Sequence, residues 1–346
     1  MENVETLPLK TGKNPLTKGI TKFTTRNSQS GGYLLKRNTG RLIIKILRAL
    51  LLFGLCFLIL QPIFNQMFIS IMAHSDLFDP TVITIPRNFS LVNLRLIDTL
   101  FMSGYWGTLW TTIWVSMLVA TLQIIACTLA AYGFARFKFP FKNFWFVCVL
   151  LTILIPPQVI HAPLFLRFRF FDIFGIFNLI TGSPLNLIGN PIGYFLMAAS
   201  GMGLRSGLYI FLLRQHFRNM PKDLEEAAYI DGCGKLKTFV TVMLPDAKPM
   251  IISCFLFAFV WQWTDSFYAT LFLNNLGVMS MQLSSLAMTF NQWHQDFYGQ
   301  GITPHANVLN AVIATGTLVT IAPLIVLYGF AQKAFVESIG LSGIKM

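Results

Sequence analysis

The stretch MPKDLEEAAYIDGCGKLKTFVTVMLPDAKP, residues 220–249, is the one long charge-dense passage in the second half of a largely apolar chain. It places two adjacent acids, two alanines, an Asp-Gly pair and a Leu-Pro pair between apolar runs. A loop that only joined two helices would need far less. The passage therefore predicts a short folded segment with a function beyond connecting two helices.

The composition around this passage indicates an integral membrane protein. Of the 346 residues, 54% are hydrophobic and only 12% are charged, about half the charged fraction of a typical soluble domain. Several apolar runs are roughly 20 residues long, which is enough for a helix to cross a ~30 Å hydrocarbon layer. We expect an all-α, polytopic fold.

The apolar runs predict six transmembrane helices, with the charged passage between the fourth and the fifth. Residues 1–40 are polar and basic and predict a disordered cytoplasmic tail; 41–106 hold the first span and an external segment, and 107–346 hold the main transmembrane domain with the charged passage. Gln61-Pro62 and Pro156-Pro157 should kink the first and third spans. The expected spans cover 48–72, 107–134, 143–166, 193–215, 249–273 and 307–331.

The net charge of +12 follows the topology of the chain rather than an affinity for nucleic acid. Lys and Arg are concentrated in the amino-terminal tail and in the loops after the second and fourth spans, which the positive-inside rule places in the cytoplasm. Arg167 and Arg169 break this trend, but an even number of spans with both termini inside is the most economical arrangement. The five cysteines occur singly and predict neither a metal site nor a disulfide framework.

Residues 220–249 predict two short helices separated by a tight stop. Pro221 suits the first turn of a helix, and the acids that follow favour the positive end of the helix dipole. Gly232 can adopt the left-handed conformation that ends a helix. A second helix should begin near Gly234, and Pro245 and Pro249 mark the return to the membrane.

The first of these helices presents small side chains and acids, which favours a protein partner. Leu224, Ala227 and Ala228 share a narrow face, whose alanines would let another backbone approach closely. The alternative is an amphipathic hairpin resting on lipid. Adjacent acids make a poor ligand for a negatively charged inner leaflet, so we favour the protein partner.

The same passage resembles the EAA loop of the permease subunits of bacterial ABC importers, in which Glu-Ala-Ala, an Asp-Gly and a later Leu-Pro recur. Further similar stretches are AYGFARFKFP at 131–140, IPPQVIHAPLFL at 155–166, FLLRQHFRNMP at 211–221 and the terminal AQKAFVESIGLSGIKM. Together they resemble the carbohydrate-type subfamily, the homologues of the smaller maltose-type subunit, over about residues 90–346. The resemblance implies that this EAA segment, Met220 to Pro249, contains a coupling helix that docks on a cytoplasmic ATPase.

The resemblance assigns ATPase coupling to the positions that match the EAA pattern: Glu226, Ala227, Ala228, Asp231, Gly232, Leu244 and Pro245. Three places depart from that pattern. Cys233 stands where the family most often has Ala, the stretch 181–205 is longer and richer in Gly and Ser than expected, and VES stands where Val-Lys-Gly is usual. The last departure weakens the carbohydrate assignment.

The sequence contains no G-x-x-x-x-G-K-[ST] phosphate loop. We therefore expect no cofactor, no catalytic residue and no ATP hydrolysis in this chain, and we expect ATP and Mg on partner ATPase subunits.

Polar groups inside the apolar runs are the candidates for a substrate path. Arg205 would cost at least ~2.5–3.5 kcal/mol at mid-membrane unless it faces protein or water, so either it serves a pathway or the fourth span begins later. Trp261, Trp263 and Asp265 suit stacking on sugar rings or an interfacial belt, and Asn310 suits a path or a helix–helix hydrogen bond. The irregular spacing of the histidines in the last outer segment predicts no metal site.

These observations predict a permease subunit in the inner membrane that pairs with a second homologous subunit, two ATPase subunits and an extracytoplasmic solute-binding protein that delivers a carbohydrate. One alternative is a permease for a non-sugar solute. The other is a non-transporting receptor or scaffold that recruits a cytoplasmic protein through residues 220–249.

Overall fold

The computed structural model describes residues 33–343, without the side chains of 33–38, 40, 181 and 333–343. Of the tail expected over residues 1–40, residues 1–32 lie outside the described part of the chain. The stretch VES, which departs from the family pattern, lies among the residues whose side chains are not described. Residues 33–40 are helical, so the tail prediction is wrong for them. Extending an existing helix adds one hydrogen bond per residue fixed, which favours this early start.

Residues 33–343 form helices and contain no β-strand, which confirms the all-α class. A 3₁₀ turn covers Pro157–Ile160 and a π-helix covers Phe239–Met243. The α-helices are α1 (Tyr33–Ser70), α2 (His74–Leu77), α3 (Val92–Leu100), α4 (Gly104–Arg136), α5 (Lys142–Leu154), α6 (His161–Arg169), α7 (Ile176–Thr181), α8 (Pro191–Ala199), α9 (Ser206–Asn219), α10 (Asp223–Ile230), α11 (Lys235–Thr238), α12 (Leu244–Asp246), α13 (Lys248–Thr264), α14 (Phe267–Phe272), α15 (Met279–Tyr298) and α16 (Ala306–Gly343).

Three of the described helices are long and apolar enough to cross a membrane unbroken: Arg41–Ser70, Gly104–Arg136 and Ala306–Gln332. Two bent pairs raise the number to five if each pair is one span. One pair bends by 104° at Pro156-Pro157, where the sequence predicts a kink. Pro62, in contrast, lies inside the unbroken α1. The count of six spans stays a prediction.

The fourth expected span, 193–215, is not a continuous helix, so that prediction is wrong. The chain leaves α8 after Ala199 and starts α9 only at Ser206. Gly201 has φ 72° and Arg205 has φ 63°, both in the left-handed region, which a continuous helix excludes. A Cβ at Gly203 would lie 2.8 Å from the side chain of Gln123, so the break allows close approach to α4.

The chain divides into a unit up to Asn65, which holds most of α1, and a unit from Gln66 onward. Within the second unit, α4 is the central helix and packs against α8, α9 and α13. Small side chains such as Ala120, Cys127 and Ala131 on α4 are fully buried there, which lets these helices approach closely. The exposed, apolar α1 side chains from 41 to 64 suit contact with lipid or another chain.

A hydrogen-bonded turn closes the segment between α1 and α3. Asp76 accepts bonds from the backbone N–H groups of Arg87 and Asn88, both at 2.7 Å, and from Asn88 Nδ2 at 2.8 Å. These donors, chiefly those of Asn88, hold the pKa of Asp76 below its usual range. Asn307, in α16, donates to the Leu77 carbonyl at 2.8 Å and ties the turn to the last long helix.

Candidate functional site: the EAA segment and the polar residues of the bundle

The EAA segment contains a short helix, α10, with a defined end. Gly232 has φ 81°, as the sequence predicts. Its N–H bonds to the Tyr229 carbonyl at 3.1 Å, and the N–H of Cys233 bonds to the Ala228 carbonyl at 2.9 Å. This is the Schellman pattern, in which a left-handed residue allows the last carbonyls to be satisfied. The small side chain of Cys233 does not disturb it.

Leu224, Ala227 and Ala228 do not form the single contact face that the sequence predicts, because their exposure differs. Ala228 is buried, whereas Ala227 and the neighbouring Glu226 are exposed. At the end of the helix Ile230 is 86% exposed, and Leu236, at the start of α11, is 76% exposed. The segment thus presents an acid next to an uncovered apolar patch.

The other acid of the pair, Glu225, faces the helix bundle. Its Oε1 atom lies 3.1 Å from the Tyr132 hydroxyl, which donates to it, and 3.5 Å from Arg136 Nε. Arg136 also donates from Nη2 to the Met220 carbonyl at 2.8 Å. The carboxylate and guanidinium side chains are only 13% and 8% exposed. We call this group, Tyr132, Arg136, Glu225 and the Met220 carbonyl, the root clamp.

Aromatic packing also supports the clamp. The Tyr132 ring lies 5.5 Å from that of Phe217, at the end of α9, and 4.6 Å from that of Phe239, after α11. The carboxyl end of α4 therefore contacts the chain before, within and after α10. The sequence did not identify Glu225, Tyr132 or Arg136 as site residues, although AYGFARFKFP was among the similar stretches.

The chain returns to the bundle through irregular helix. The Leu244 N–H bonds to the Phe239 carbonyl, five residues back, which makes one π-helical turn. Pro245 follows and cannot donate a backbone bond. The helices of 235–246 and 248–264 are bent by 75°. Leu244 and Pro245 line an apolar groove of about 550 Å³ beside α4.

The residues named as path candidates separate into exposed and buried groups. Arg205 lies just before α9, and its guanidinium carbon is 4.4 Å from the centre of the exposed Trp261 ring. Asn310 is exposed on α16. Trp263 is buried and donates from Nε1 to the Thr320 carbonyl at 3.1 Å, which does not support it as a substrate contact.

Asp265 belongs to a buried set of polar residues that the sequence did not group. Tyr194 OH lies within hydrogen-bonding range of Gln262 Oε1, and 3.1 Å from Asp265 Oδ2. Gln262 Nε2 donates to Gln123 Oε1 at 3.0 Å. We call Gln123, Tyr194, Gln262 and Asp265 the polar chain. Two glutamines within apolar helices were the available signal.

Both ends of the polar chain hold interruptions in helices. Gln123 Nε2 donates to the Leu204 carbonyl at 2.6 Å and lies 2.9 Å from Ser206 Oγ, at the break between α8 and α9. Asp265 Oδ1 accepts the Phe267 N–H at 3.0 Å where α13 gives way to α14. The polar chain therefore provides hydrogen-bond partners for backbone groups that lose their helical partners at each interruption.

Comparison with known proteins identifies the family. Residues 123–340 match the family described as "Binding-protein-dependent transport system inner membrane component". The chain is 34% identical over 154 residues to a probable ABC transporter permease protein of Pyrococcus horikoshii, a match that covers 44% of this chain and half of that protein. It is 24% identical to the arabinooligosaccharides transport system permease protein AraQ of Halalkalibacterium halodurans, over 84% of this chain and 93% of that protein.

The fold agrees with this assignment. A crystal structure of a bacterial ABC transporter involved in the import of the acidic polysaccharide alginate contains a chain that matches with a TM-score of 0.65 at 21% identity, over 85% of this chain and 96% of that one. At that identity the likeness concerns the fold alone. The chain therefore belongs to the inner membrane components of binding-protein-dependent transport systems, as the EAA segment indicates, and has an ABC permease fold.

Proposed function

We propose that this chain is a permease subunit of an ATP-driven importer of sugars or oligosaccharides. The observation that carries the proposal is the EAA segment, a short helix fixed to the bundle on one side and uncovered on the other. The chain has no phosphate loop, so the energy must come from another polypeptide. Two ATPase subunits, a second permease subunit and a solute-binding protein complete the transporter.

The exposed side of the EAA segment suits a protein partner. Ile230 and Leu236 leave apolar surface uncovered, and such patches on water-facing surfaces mark interaction sites. Glu226 lies beside them and offers its carboxylate to a basic group of the partner. We assign the coupling contact to this surface, with the EAA segment and both termini on the ATPase side of the membrane.

The relatives support a carbohydrate as solute. AraQ is named for arabinooligosaccharides, and the transporter of similar fold imports alginate. In this chain, Trp261 exposes an aromatic ring of the kind that stacks on sugars, with Arg205 beside it. We assign these two residues and Asn310 to the solute path.

Two measurements test the function. In proteoliposomes that contain the whole transporter, Mg·ATP should drive uptake of labelled oligosaccharides supplied with the binding protein. Equal or better uptake of amino acids would overturn the carbohydrate assignment. Glu226→Lys should abolish co-purification with the ATPase subunit, whereas Asp296→Lys, an exposed acid on α15, should not. Unchanged co-purification of Glu226→Lys would contradict the docking role of the segment.

A further inference from the structure

The α10 helix has two kinds of connection to the membrane bundle. One is the peptide chain itself, which continues through α11 and the π-helix into α13. The other is lateral, through the root clamp to the carboxyl end of α4. A displacement of α10 by an ATPase passes through whichever connection is stiffer.

The connection along the chain is irregular. It contains a π-helical turn, the three-residue α12, and a 75° bend just before α13. Backbone hydrogen bonds are interrupted at Pro245, and the residues Lys235, Leu236 and Lys237 before the π-helix are exposed. Within the π-helix Phe239 is buried, and its ring lies 4.6 Å from that of Tyr132 on α4. The packing of this segment therefore ties it to α4, and the bend makes α13 a poorer receiver of the displacement.

The lateral connection resists displacement. Three polar contacts join α10 and Met220 to α4, and they involve a largely buried guanidinium–carboxylate pair. Separating such a pair leaves two charges without their partner, and the cost is larger than for an exposed pair. Tyr132 also packs against the rings of Phe217 and Phe239, so sliding would disturb aromatic contacts as well.

The α4 helix also reaches the polar chain. From Arg136 to Gln123 it is one unbroken helix, which at 1.5 Å per residue spans about 20 Å. Gln123 holds the break between α8 and α9 and bonds to Gln262 on α13. A shift of α4 along its axis would therefore act directly on the interruption that ends at Arg205.

We propose that α4, held by Arg136 and Tyr132, is the helix that receives the displacement of α10 and carries it to the polar chain. Arg136 and Tyr132 are positioning residues in this role. The inference rests on the proposed function, because it needs an ATPase that moves α10. Beyond the proposed function, the inference states that α4 moves with α10 and that Arg136 and Tyr132 hold the two helices together.

Distances between labels test the proposal without knowledge of the solute. Asp223 on α10, Leu129 on α4 and Ile252 on α13 are all exposed and can carry spin labels after the native cysteines are replaced. In the reconstituted transporter, trapping with Mg·ATP and vanadate should change the 223–252 distance. The 223–129 distance should stay the same, because α10 and α4 move together.

Variants then test the clamp residues. Arg136→Gln should make the 223–129 distance change on trapping and should lower solute-stimulated ATP hydrolysis on the order of tenfold. Tyr132→Phe removes one hydroxyl and should have a smaller effect in the same direction. Arg214→Gln is the matched control, because Arg214 is also buried but contacts the Phe134 carbonyl and the Phe146 ring rather than the EAA segment. It should leave the 223–129 distance unchanged on trapping.

The outcomes separate this inference from the proposed function. If no ATPase subunit binds the wild-type chain, the proposed function fails. If the complex forms but trapping changes the 223–129 distance as much as the 223–252 distance, the α4 inference alone is overturned. The same holds if Arg136→Gln and Tyr132→Phe assemble normally and leave the 223–129 distance fixed on trapping.

Discussion

The EAA segment and the polar chain use polar residues in opposite ways. In the EAA segment, Glu226 is exposed beside the uncovered side chains of Ile230 and Leu236. In the polar chain, Gln123 and Asp265 are buried, and each has partners within the same subunit. A surface that binds another protein keeps polar and apolar side chains exposed for that partner. Polar residues that hold interrupted helices inside a membrane must instead find their hydrogen-bond partners within the same subunit.

Breaking the polar chain should have the largest effect on folding. Asp265→Leu leaves the Phe267 N–H without its acceptor and removes one partner of the Tyr194 hydroxyl. We expect a loss of about 3 kcal/mol in stability, since buried groups without partners each cost about 1–3 kcal/mol. Thermal unfolding of the purified chain in detergent measures this loss.

A conservative change should separate hydrogen bonding from packing at the same position. Asp265→Asn keeps one acceptor oxygen, so it should lose less than half as much as Asp265→Leu. In the EAA segment, the exposed Asp223→Asn should leave the unfolding temperature unchanged. Equal losses for Asp265→Asn and Asp265→Leu would show that the hydrogen bonds contribute little.

Removing the apolar patch should weaken association and spare folding. Ile230→Ser replaces an apolar side chain of the contact surface with a polar one. Burial of such an apolar side chain contributes about 1.5–3 kcal/mol to the free energy of association. The affinity for the ATPase subunit should therefore fall by a factor on the order of ten or more. Titration of the ATPase subunit against the reconstituted chain measures it.

Ile83 supplies the matched control for the patch. It is 87% exposed, against 86% for Ile230, but lies between α1 and α3. Ile83→Ser should leave the affinity unchanged. If both variants bind the ATPase subunit as tightly as the wild type, the apolar patch is not the docking surface.

The contrast between the two regions also explains what the sequence predicts. The stop at Gly232 depends on residues within one turn, so the pattern IDGCG was enough to locate it. The partners Tyr132 and Glu225 are 93 positions apart, and nothing local pairs them. The polar chain joins residues from three helices in the same way, so Gln123 and Gln262 looked like isolated polar residues.

The error in the fourth span has a different cause. Hydropathy measures composition over a window, and 193–215 is apolar enough to qualify. It does not detect that Gly201 and Arg205 adopt positive φ and separate α8 from α9. The excess of Gly and Ser in 181–205 was the local sign of this interruption. The six-span count depends on how α8 and α9 lie in the bilayer, which composition alone does not decide.

Changing the helix stop should weaken coupling by a moderate amount. Gly232→Val forces a β-branched residue into the left-handed region, at about 1–2 kcal/mol. A Cβ there meets nothing within 4 Å, so the cost comes from the backbone alone. We expect several-fold weaker solute-stimulated ATP hydrolysis. Gly232→Asn should retain most of it because Asn tolerates this conformation, and equal activity of the two variants would contradict the argument.

In the turn between α1 and α3, Asp76 accepts backbone hydrogen bonds as Asp265 does within the bundle. Removing the charge of Asp76 should have the smallest effect of the changes considered. Because the donors of Asn88, and to a smaller extent that of Arg87, lower the pKa of Asp76, its carboxylate stabilises the folded turn. This contribution is complete above the unfolded pKa of about 3.9 and is lost as the pH falls through the lower folded pKa.

Hydrogen exchange over residues 73–90 should therefore be slower in the wild type than in Asp76→Asn near neutral pH. The difference should disappear in strong acid, where the wild-type carboxyl is protonated and resembles the amide. Exchange in α4, which supplies none of these donors to Asp76, provides the internal control. A difference that persisted in acid would mean that the shape of the side chain, rather than its charge, holds the turn closed.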